Sequence, residues 1–200
     1  RNIAIPIASD LTFEQVAKIN VFAPQLPGIR TEIGWRRRYR QGSAVGHIVG
    51  YTGRVERLSL DDDAVMRLPG AKIGKSGIEA GQEAILRGRG GSQKIEVDAR
   101  GRIVRTLETL DPVAGRDVTL TIDIALQRRV MERLQVERRA SCVGIDIATG
   151  GVVVMASTPN YDPAEVADGL TDEAWQRLAG SAEHPMTNRA ISGQYPPGST

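Results

Sequence analysis

Cys142-Val143-Gly144-Ile145-Asp146-Ile147 and Val152-Val153-Val154-Met155-Ala156-Ser157, joined by Ala148-Thr149-Gly150-Gly151, form the stretch that decides the fold. Two strongly apolar runs around a glycine turn read as an antiparallel hairpin buried on both faces. Outward on the amino side, Val118, Leu120 and Ile122 alternate as a further strand. Asp123 then caps a helix whose apolar stripe is Leu126, Val130 and Leu134, at i, i+4 and i+8. On the carboxyl side Leu170-Thr171 opens a short helix, with Leu170 placed to staple to Trp175. Hairpins and helices alternate without regular βαβ units, so the class is α+β.

Further toward the amino terminus the signals repeat in kind. Thr12 and Gln15 form a capping box, with Leu11 and Val16 as its staple, and predict a helix to about Asn20. Pro24 and Pro27-Gly28 break it, and Ile29 to Ile33 read as a strand. Glycines at 46, 50 and 53 punctuate Gly46-His47-Ile48-Val49-Gly50-Tyr51-Thr52-Gly53, which suggests tight turns or close backbone approach. Ser59 with Asp62 gives a weaker helix start. Ser76-Gly77-Ile78-Glu79 reads as a second capping box, opening a helix with Ile78, Ile85 and Leu86 on one face and Gly88 at its end. Ile95, Val97, Ile103 and Val104 flank Asp98-Ala99-Arg100-Gly101-Arg102 as a hairpin.

The 200 residues suit one large or two small domains, and 40% apolar residues supply a core. Residues 1–110 carry 18 Lys+Arg against 12 Asp+Glu, and residues 111–200 carry 8 against 12. That change of sign hints at two units meeting near Asp111-Pro112. Aromatics make up 4%, too few for a base-stacking surface. The basic run from Trp35 through Arg36, Arg37, Arg38 and Tyr39 to Arg40 is isolated, and reads as an exposed edge strand kept soluble by arginine rather than as a nucleic-acid surface. Cys142 is the single cysteine, so no internal disulfide forms. His47 and His184 are isolated, and no metal-ligand spacing occurs. Gly70-Ala71-Lys72-Ile73-Gly74-Lys75-Ser76 misses phosphate-loop spacing by one residue.

The chain ends on Tyr195-Pro196-Pro197-Gly198-Ser199-Thr200, which reads as the mouth of a helix. A serine there lies at the positive end of the helix dipole, where developing negative charge is favoured. Alone, a serine after Pro-Pro-Gly is more often a plain helix cap. The lysine of a Ser-x-x-Lys nucleophile motif would fall beyond Thr200, so the chain is expected to be the front part of a longer protein. No apolar run is long enough to span a membrane.

Six stretches in register carry a resemblance. They are Leu26-Pro27-Gly28 with Arg37-Arg38-Tyr39; Gly46 to Gly53; Gly74-Lys75-Ser76-Gly77-Ile78-Glu79 with Leu86-Arg87-Gly88 and Gly91; Val118 to Asp123 with Leu126-Gln127; Thr149-Gly150 with Ala156 to Pro163; and Asn188-Arg189-Ala190 with Tyr195 to Thr200. Together they resemble the class B penicillin-binding proteins, and within them the elongation type, over nearly the whole chain. Ala164 departs from the asparagine the family often carries after Asp-Pro.

The resemblance implies a non-catalytic pedestal, or dimerisation, domain over residues 1–115 and the first part of a β-lactamase-like transpeptidase domain over 116–200. It implies a peptidoglycan D,D-transpeptidase of cell elongation and shape, with Ser199 as acyl-enzyme nucleophile. The implied partners are D-Ala-D-Ala stem peptides, β-lactams and membrane cell-wall synthesis proteins such as a lipid II polymerase. No metal, organic cofactor or nucleic acid is implied, and a homodimer stays open. The implied location is the bacterial inner membrane, with periplasmic domains. The motif lysine, Ser-x-Asn and Lys-Thr-Gly elements do not occur in these 200 residues, so the fragment alone is expected to be inactive, serving as a scaffold or partner-binding module. An unrelated serine hydrolase would need an Asp/His pair, for which neither histidine has a sequence context.

Overall fold

The computed structural model describes residues 5, 7–8, 11–34, 36–55, 66, 70–100, 102–167, 169–170 and 172–194. Ser199, Trp35 and the Ser59/Asp62 helix start lie outside the described residues.

Helix α1 (Phe13–Val21) starts as its sequence dictates. Gln15 N–H donates to Thr12 Oγ1 at 3.3 Å and Thr12 N–H donates to Gln15 Oε1 at 2.8 Å, closing the capping box. After a 3₁₀ turn at Ala23–Gln25 the chain is irregular through Tyr39 over the described residues. The strand expected at Ile29–Ile33 does not form: among the described residues no strand pairs with it, Ile29 N–H instead closes a turn onto Leu26 C=O at 3.1 Å, and Ile33 is fully exposed. The arginine run is likewise no edge strand. Arg37 instead reaches 42 residues along the chain to Glu79, whose buried carboxylate it meets at 2.6 Å.

A 3₁₀ turn (Gly42–Val45) runs into α2 (Gly46–Val49), then β1 (Thr52–Arg54), which pairs antiparallel with β2 (Lys72–Gly74). The Gly70–Ser76 run therefore supplies a strand, not a phosphate loop. The second capping box does not form. Ser76 caps α3 (Gly77–Gly81) by position only; its hydroxyl lies 3.5 Å from Tyr161 Oη, and Glu79 is committed to Arg37. Nor is there one long helix. Gln82 separates α3 from α4 (Glu83–Arg87), and Gly88, at φ 74°, ends the pair as expected.

Strands β3 (Ser92–Val97) and β4 (Ile103–Leu110) form the predicted hairpin, exposed along its whole length. Asp98 closes it, accepting from Arg100 N–H at 2.8 Å and Arg102 N–H at 2.9 Å. The carboxyl is held below the usual range by the Arg102 backbone and guanidinium.

Helix α5 (Ile124–Leu134) begins at Asp123, whose Oδ1 accepts from Ala125 and Leu126 N–H. Its buried residues are Gln127 and Met131, one step round from the expected stripe, and Leu126 is 40% exposed. The segment before it is no ladder strand. It runs beside the second strand of the decisive hairpin, joined by Asp123 N–H to Val153 C=O at 2.9 Å and Thr121 Oγ1–H to Val152 C=O at 2.7 Å. That hairpin, β5 (Ala140–Ile145) with β6 (Val152–Thr158), forms in antiparallel register with Cys142 opposite Ala156. It is not buried on both faces. Val143, Ile145 and Ile147 point outward on β5 and the turn, whereas Val154, Ala156, Ser157 and Thr158 are buried on β6. Short helices α6 (Pro163–Ala167), α7 (Asp172–Ala179) and α8 (Arg189–Ser192) follow among the described residues. Leu170 packs on the Tyr161, Val166 and Leu178 cluster instead of stapling to Trp175, which is half exposed.

Candidate functional site

Gln127 fixes the floor of the site. It is 1% exposed, and an uncharged amide tolerates that depth only if each polar atom is paired. Its Nε2 donates to Met155 C=O at 3.0 Å and to Ala44 C=O at 2.9 Å, and its Oε1 accepts from Met155 N–H at 3.0 Å. The side-chain amide thus does what a neighbouring strand would do at the outer edge of β6, two residues beyond the point where Asp123 pairs with Val153. The third bond reaches the Gly42–Val45 turn, locking the amino-terminal unit to the hairpin.

The loop leaving β6 adds further ties to that turn. Asn160 Nδ2 donates to Ser43 C=O at 2.8 Å, and the buried Tyr161 hydroxyl donates to Gly46 C=O at 3.1 Å, a contact 115 residues apart in sequence. His47 and Tyr51 both meet the Tyr161 ring edge-on, with centroids at 5.2 and 6.0 Å, a favoured aromatic geometry. His47 Nε2 lies 3.5 Å from Pro159 C=O. Burial lowers the His47 pKa below its ordinary value; Arg189's charge acts the same way and the Pro159 carbonyl opposes it. Burial pushes the Tyr161 phenol up. Lys72 Nζ reaches across to the last carbonyl of α6, Ala167, at 2.6 Å, where a cation suits the negative helix end.

Gly46 shows why the segment is rich in glycine. Its φ of −51° suits any residue, but a Cβ would sit 2.3 Å from Tyr161 C=O. Gly50 combines a φ of +76° with a Cβ position 1.9 Å from Ser76 C=O, so conformation and space both require glycine.

At the far end of β6, Ser157 is 1% exposed. Its hydroxyl accepts from Arg189 N–H at 3.0 Å and donates to Thr187 C=O at 3.4 Å. Asn188 caps α8 through Oδ1 to Ala190 N–H at 3.1 Å. The Arg189 guanidinium gathers the carbonyls of Glu183, His184 and Thr187. The Glu183 carboxylate, held below its usual pKa by Arg139 and Arg138, meets both of those arginines at the start of β5. From α8 the chain runs on toward Ser199.

Of the stretches singled out in the sequence, the structure brings five together, the first joining through Arg37 to Glu79 and through Tyr39 Oη, which accepts from Thr52 N–H. Gly46–Gly53, Lys75–Glu79 and Pro159–Pro163 form one joint, and Asn188-Arg189 is tied to it through β6. His47 lies inside the joint; His184 contributes its carbonyl to the Arg189 clasp. Cys142 is half-buried on β5. No cluster of metal-ligating side chains occurs among the described residues. Periodicity missed Gln127 and Ser157, because a single buried polar residue on a helix or strand carries no pattern of its own.

An amino-terminal unit is thus joined through this knot to the β5–β6 hairpin of the carboxyl-terminal part. Residues 1–120 match the penicillin-binding protein dimerisation domain, and residues 140–200 match the penicillin-binding protein transpeptidase domain. The chain belongs to the penicillin-binding proteins. It is 39% identical over 202 residues to the peptidoglycan D,D-transpeptidase MrdA of Escherichia coli K12, covering 98% of this chain and 32% of that relative. With MrdA of Haemophilus influenzae the identity is 37% over 201 residues, covering 98% of this chain and 31% of that relative. Among solved structures it is similar to Helicobacter pylori PBP2 in complex with MreC (TM-score 0.77, 25% identity, 92% of this chain and 34% of that one). It is also similar to Pseudomonas aeruginosa PBP2 in complex with WCK 5153 (TM-score 0.65, 33% identity, 86% of this chain and 33% of that one). The chain spans about a third of the length of these curated relatives.

Proposed function

We propose that the full-length protein is a peptidoglycan D,D-transpeptidase of the elongation type, with Ser199 as its nucleophile. The observation that carries this is the 39% identity to a D,D-transpeptidase across 98% of the chain. Ser199 Oγ attacks the carbonyl between the two terminal D-Ala residues of a stem peptide. The C–N bond breaks, D-Ala leaves with a proton, and a serine ester remains. An amine of a neighbouring stem then displaces the ester and returns the proton to Ser199. β-Lactams acylate the same oxygen. The chemistry draws on no metal or organic cofactor.

Residues 1–115 serve as the pedestal and residues 116–200 open the transpeptidase domain. Backbone packing supports that division: Arg116 N–H donates to Ile85 C=O at 2.9 Å, and a Cβ on Gly115 would lie 2.0 Å from Leu86 C=O, so the chain stays with the first unit as far as Arg116. The pedestal is the surface offered to membrane cell-wall proteins, including a lipid II polymerase, and to a second copy in a homodimer. A scaffold-only role for the 200 residues alone is favoured by the dimerisation-domain match over residues 1–120. The location that suits this work is the periplasmic side of the inner membrane. No helix among the described residues is long and apolar enough to cross a membrane.

The test is labelling by a fluorescent penicillin. Full-length protein is expected to label and its Ser199→Ala variant to lose all label. Undiminished labelling of the variant would overturn the nucleophile assignment.

A further inference from the structure

We propose that His47 makes the joint between the amino-terminal unit and the loop leaving β6 a pH-sensitive latch, closed while its imidazole is neutral and loosened when the ring takes up a proton. The ties across this joint converge on a few side chains. Asn160 holds Ser43 C=O, Tyr161 Oη holds Gly46 C=O, and the His47 and Tyr51 rings meet the Tyr161 ring edge-on. Of these side chains, His47 is the one whose charge changes between pH 5 and 8.

Its surroundings suit the neutral ring. Helix α2 carries His47 on one side of the joint, and Nε2 lies 3.5 Å from Pro159 C=O on the other. A neutral imidazole has one N–H, which on Nε2 serves that carbonyl. A proton added at Nδ1 creates a second N–H, for which no acceptor occurs among the described residues. A half-buried donor without a partner is costly, and a charged one more so.

Nor does any carboxylate among the described residues pair with the ring to offset the charge. The elements packed on α2 are the Gly42–Val45 turn, α3 and β6. The turn and β6 carry no ionisable side chain, and Glu79 of α3 is held by Arg37. In the loop after β6, Tyr161 is a buried phenol, and Asp162 accepts from Ala164 N–H at 2.8 Å where α6 begins. Tyr51 adds a second phenol ring, and Arg189 at the start of α8 adds a positive charge. Burial is the largest influence on the imidazole and lowers its pKa; the Pro159 carbonyl opposes it and the Arg189 charge adds to it.

The sign follows from linkage. Opening the joint returns the ring to water, where its pKa is about 6.5. The open form therefore binds the proton more tightly than the closed one, and acid favours opening. The effect sets in as pH falls through about 6.5 and grows below it. It stands apart from the assignment of Ser199 as nucleophile.

The experiment is hydrogen–deuterium exchange of the full-length protein at pH 7.5 and 5.5, corrected for intrinsic exchange rates, in wild type, His47→Gln and His47→Phe. Neither replacement titrates, and phenylalanine keeps a ring against Tyr161. In wild type, the peptides spanning residues 44–52 and 163–169, one on each side of the joint, are expected to exchange faster at pH 5.5 by about threefold or more, while the β3–β4 hairpin does not change. In both variants that acid-dependent difference is expected to vanish. The same difference in the variants as in wild type overturns the proposal. So does acceleration confined to residues 44–52, which is fraying of α2 alone, or acceleration shared equally by the β3–β4 hairpin, which is global destabilisation. Slower exchange in acid also overturns it, because the imidazolium would then be tightening on Pro159. Should one variant not fold, the other serves; should neither fold, the wild-type profile decides, and unchanged exchange at the joint overturns the latch.

Discussion

Replacing Gln127 by leucine keeps the side chain's size and removes all three of its hydrogen bonds, to Ala44 C=O, Met155 C=O and Met155 N–H. A buried hydrogen bond contributes about 0.5–1.5 kcal/mol net, and each polar group left unpaired costs about 1–3 kcal/mol. Three lost bonds come to about 3 kcal/mol. Leucine recovers part of this, because its buried apolar surface stabilises by about 1.5–3 kcal/mol, less the contribution Gln127's own methylenes already make. The expected net loss for Gln127→Leu is about 2 kcal/mol, read from urea unfolding of the purified chain followed by circular dichroism. Gln127→Glu is the sharper comparison. Its carboxylate is brought against two carbonyl oxygens in a dry site, so at pH 7 it should destabilise more than leucine does. Burial raises such a carboxyl's folded pKa, so the penalty should shrink as the pH falls toward 5 and the group protonates. A Gln127→Leu protein within about 0.5 kcal/mol of wild type, or a Gln127→Glu penalty unchanged by pH, would refute the assignment of this amide as the clamp between the two units.

Gly46→Ala is ordinarily stabilising in a helix by about 0.5–1 kcal/mol, but here the sign should reverse, with a loss of about 1–3 kcal/mol, because the new Cβ meets Tyr161 C=O at 2.3 Å. A neutral or stabilising result in the same unfolding assay would contradict the close approach. His47 has its pKa lowered from 6.5 by burial, so the unfolded chain binds its proton first as pH falls. The stability His47 contributes should be whole above about pH 6.5 and lost as pH falls through that value toward its lower folded pKa. Between pH 7.5 and 5.5 the stability gap between wild type and His47→Gln should therefore narrow, and parallel pH profiles would be the contrary result.

Local chemistry was legible wherever a turn or cap closes on itself. The Thr12 and Gln15 box, the Asp123 cap, the Asp98 hairpin and the β5–β6 hairpin each need only neighbours in sequence, and each forms. What sequence could not supply was the partner across the fold. Ser76 and Glu79 have the spacing of a capping box, yet Tyr161 and Arg37 claim them, since tertiary contacts outweigh a cap worth about 1 kcal/mol. The alternation at Val118, Leu120 and Ile122 suggested a ladder, but Gln127's amide pairs with the β6 edge at Met155 in place of a strand. The stripe expected on α5 lies one position off because one of its two buried residues, Gln127 beside Met131, is a glutamine, which hydrophobic periodicity counts as surface. The six stretches named the family without showing that five of them meet. Their glycines make sense only beside the carbonyls of Ser76 and Tyr161.

The most direct measurement is the intact mass of the full-length protein with and without benzylpenicillin, followed by peptide mapping of the adduct. The account predicts one penicilloyl group per chain, carried by the peptide containing Ser199. An adduct on any other residue, or none on protein shown to be folded, would contradict it.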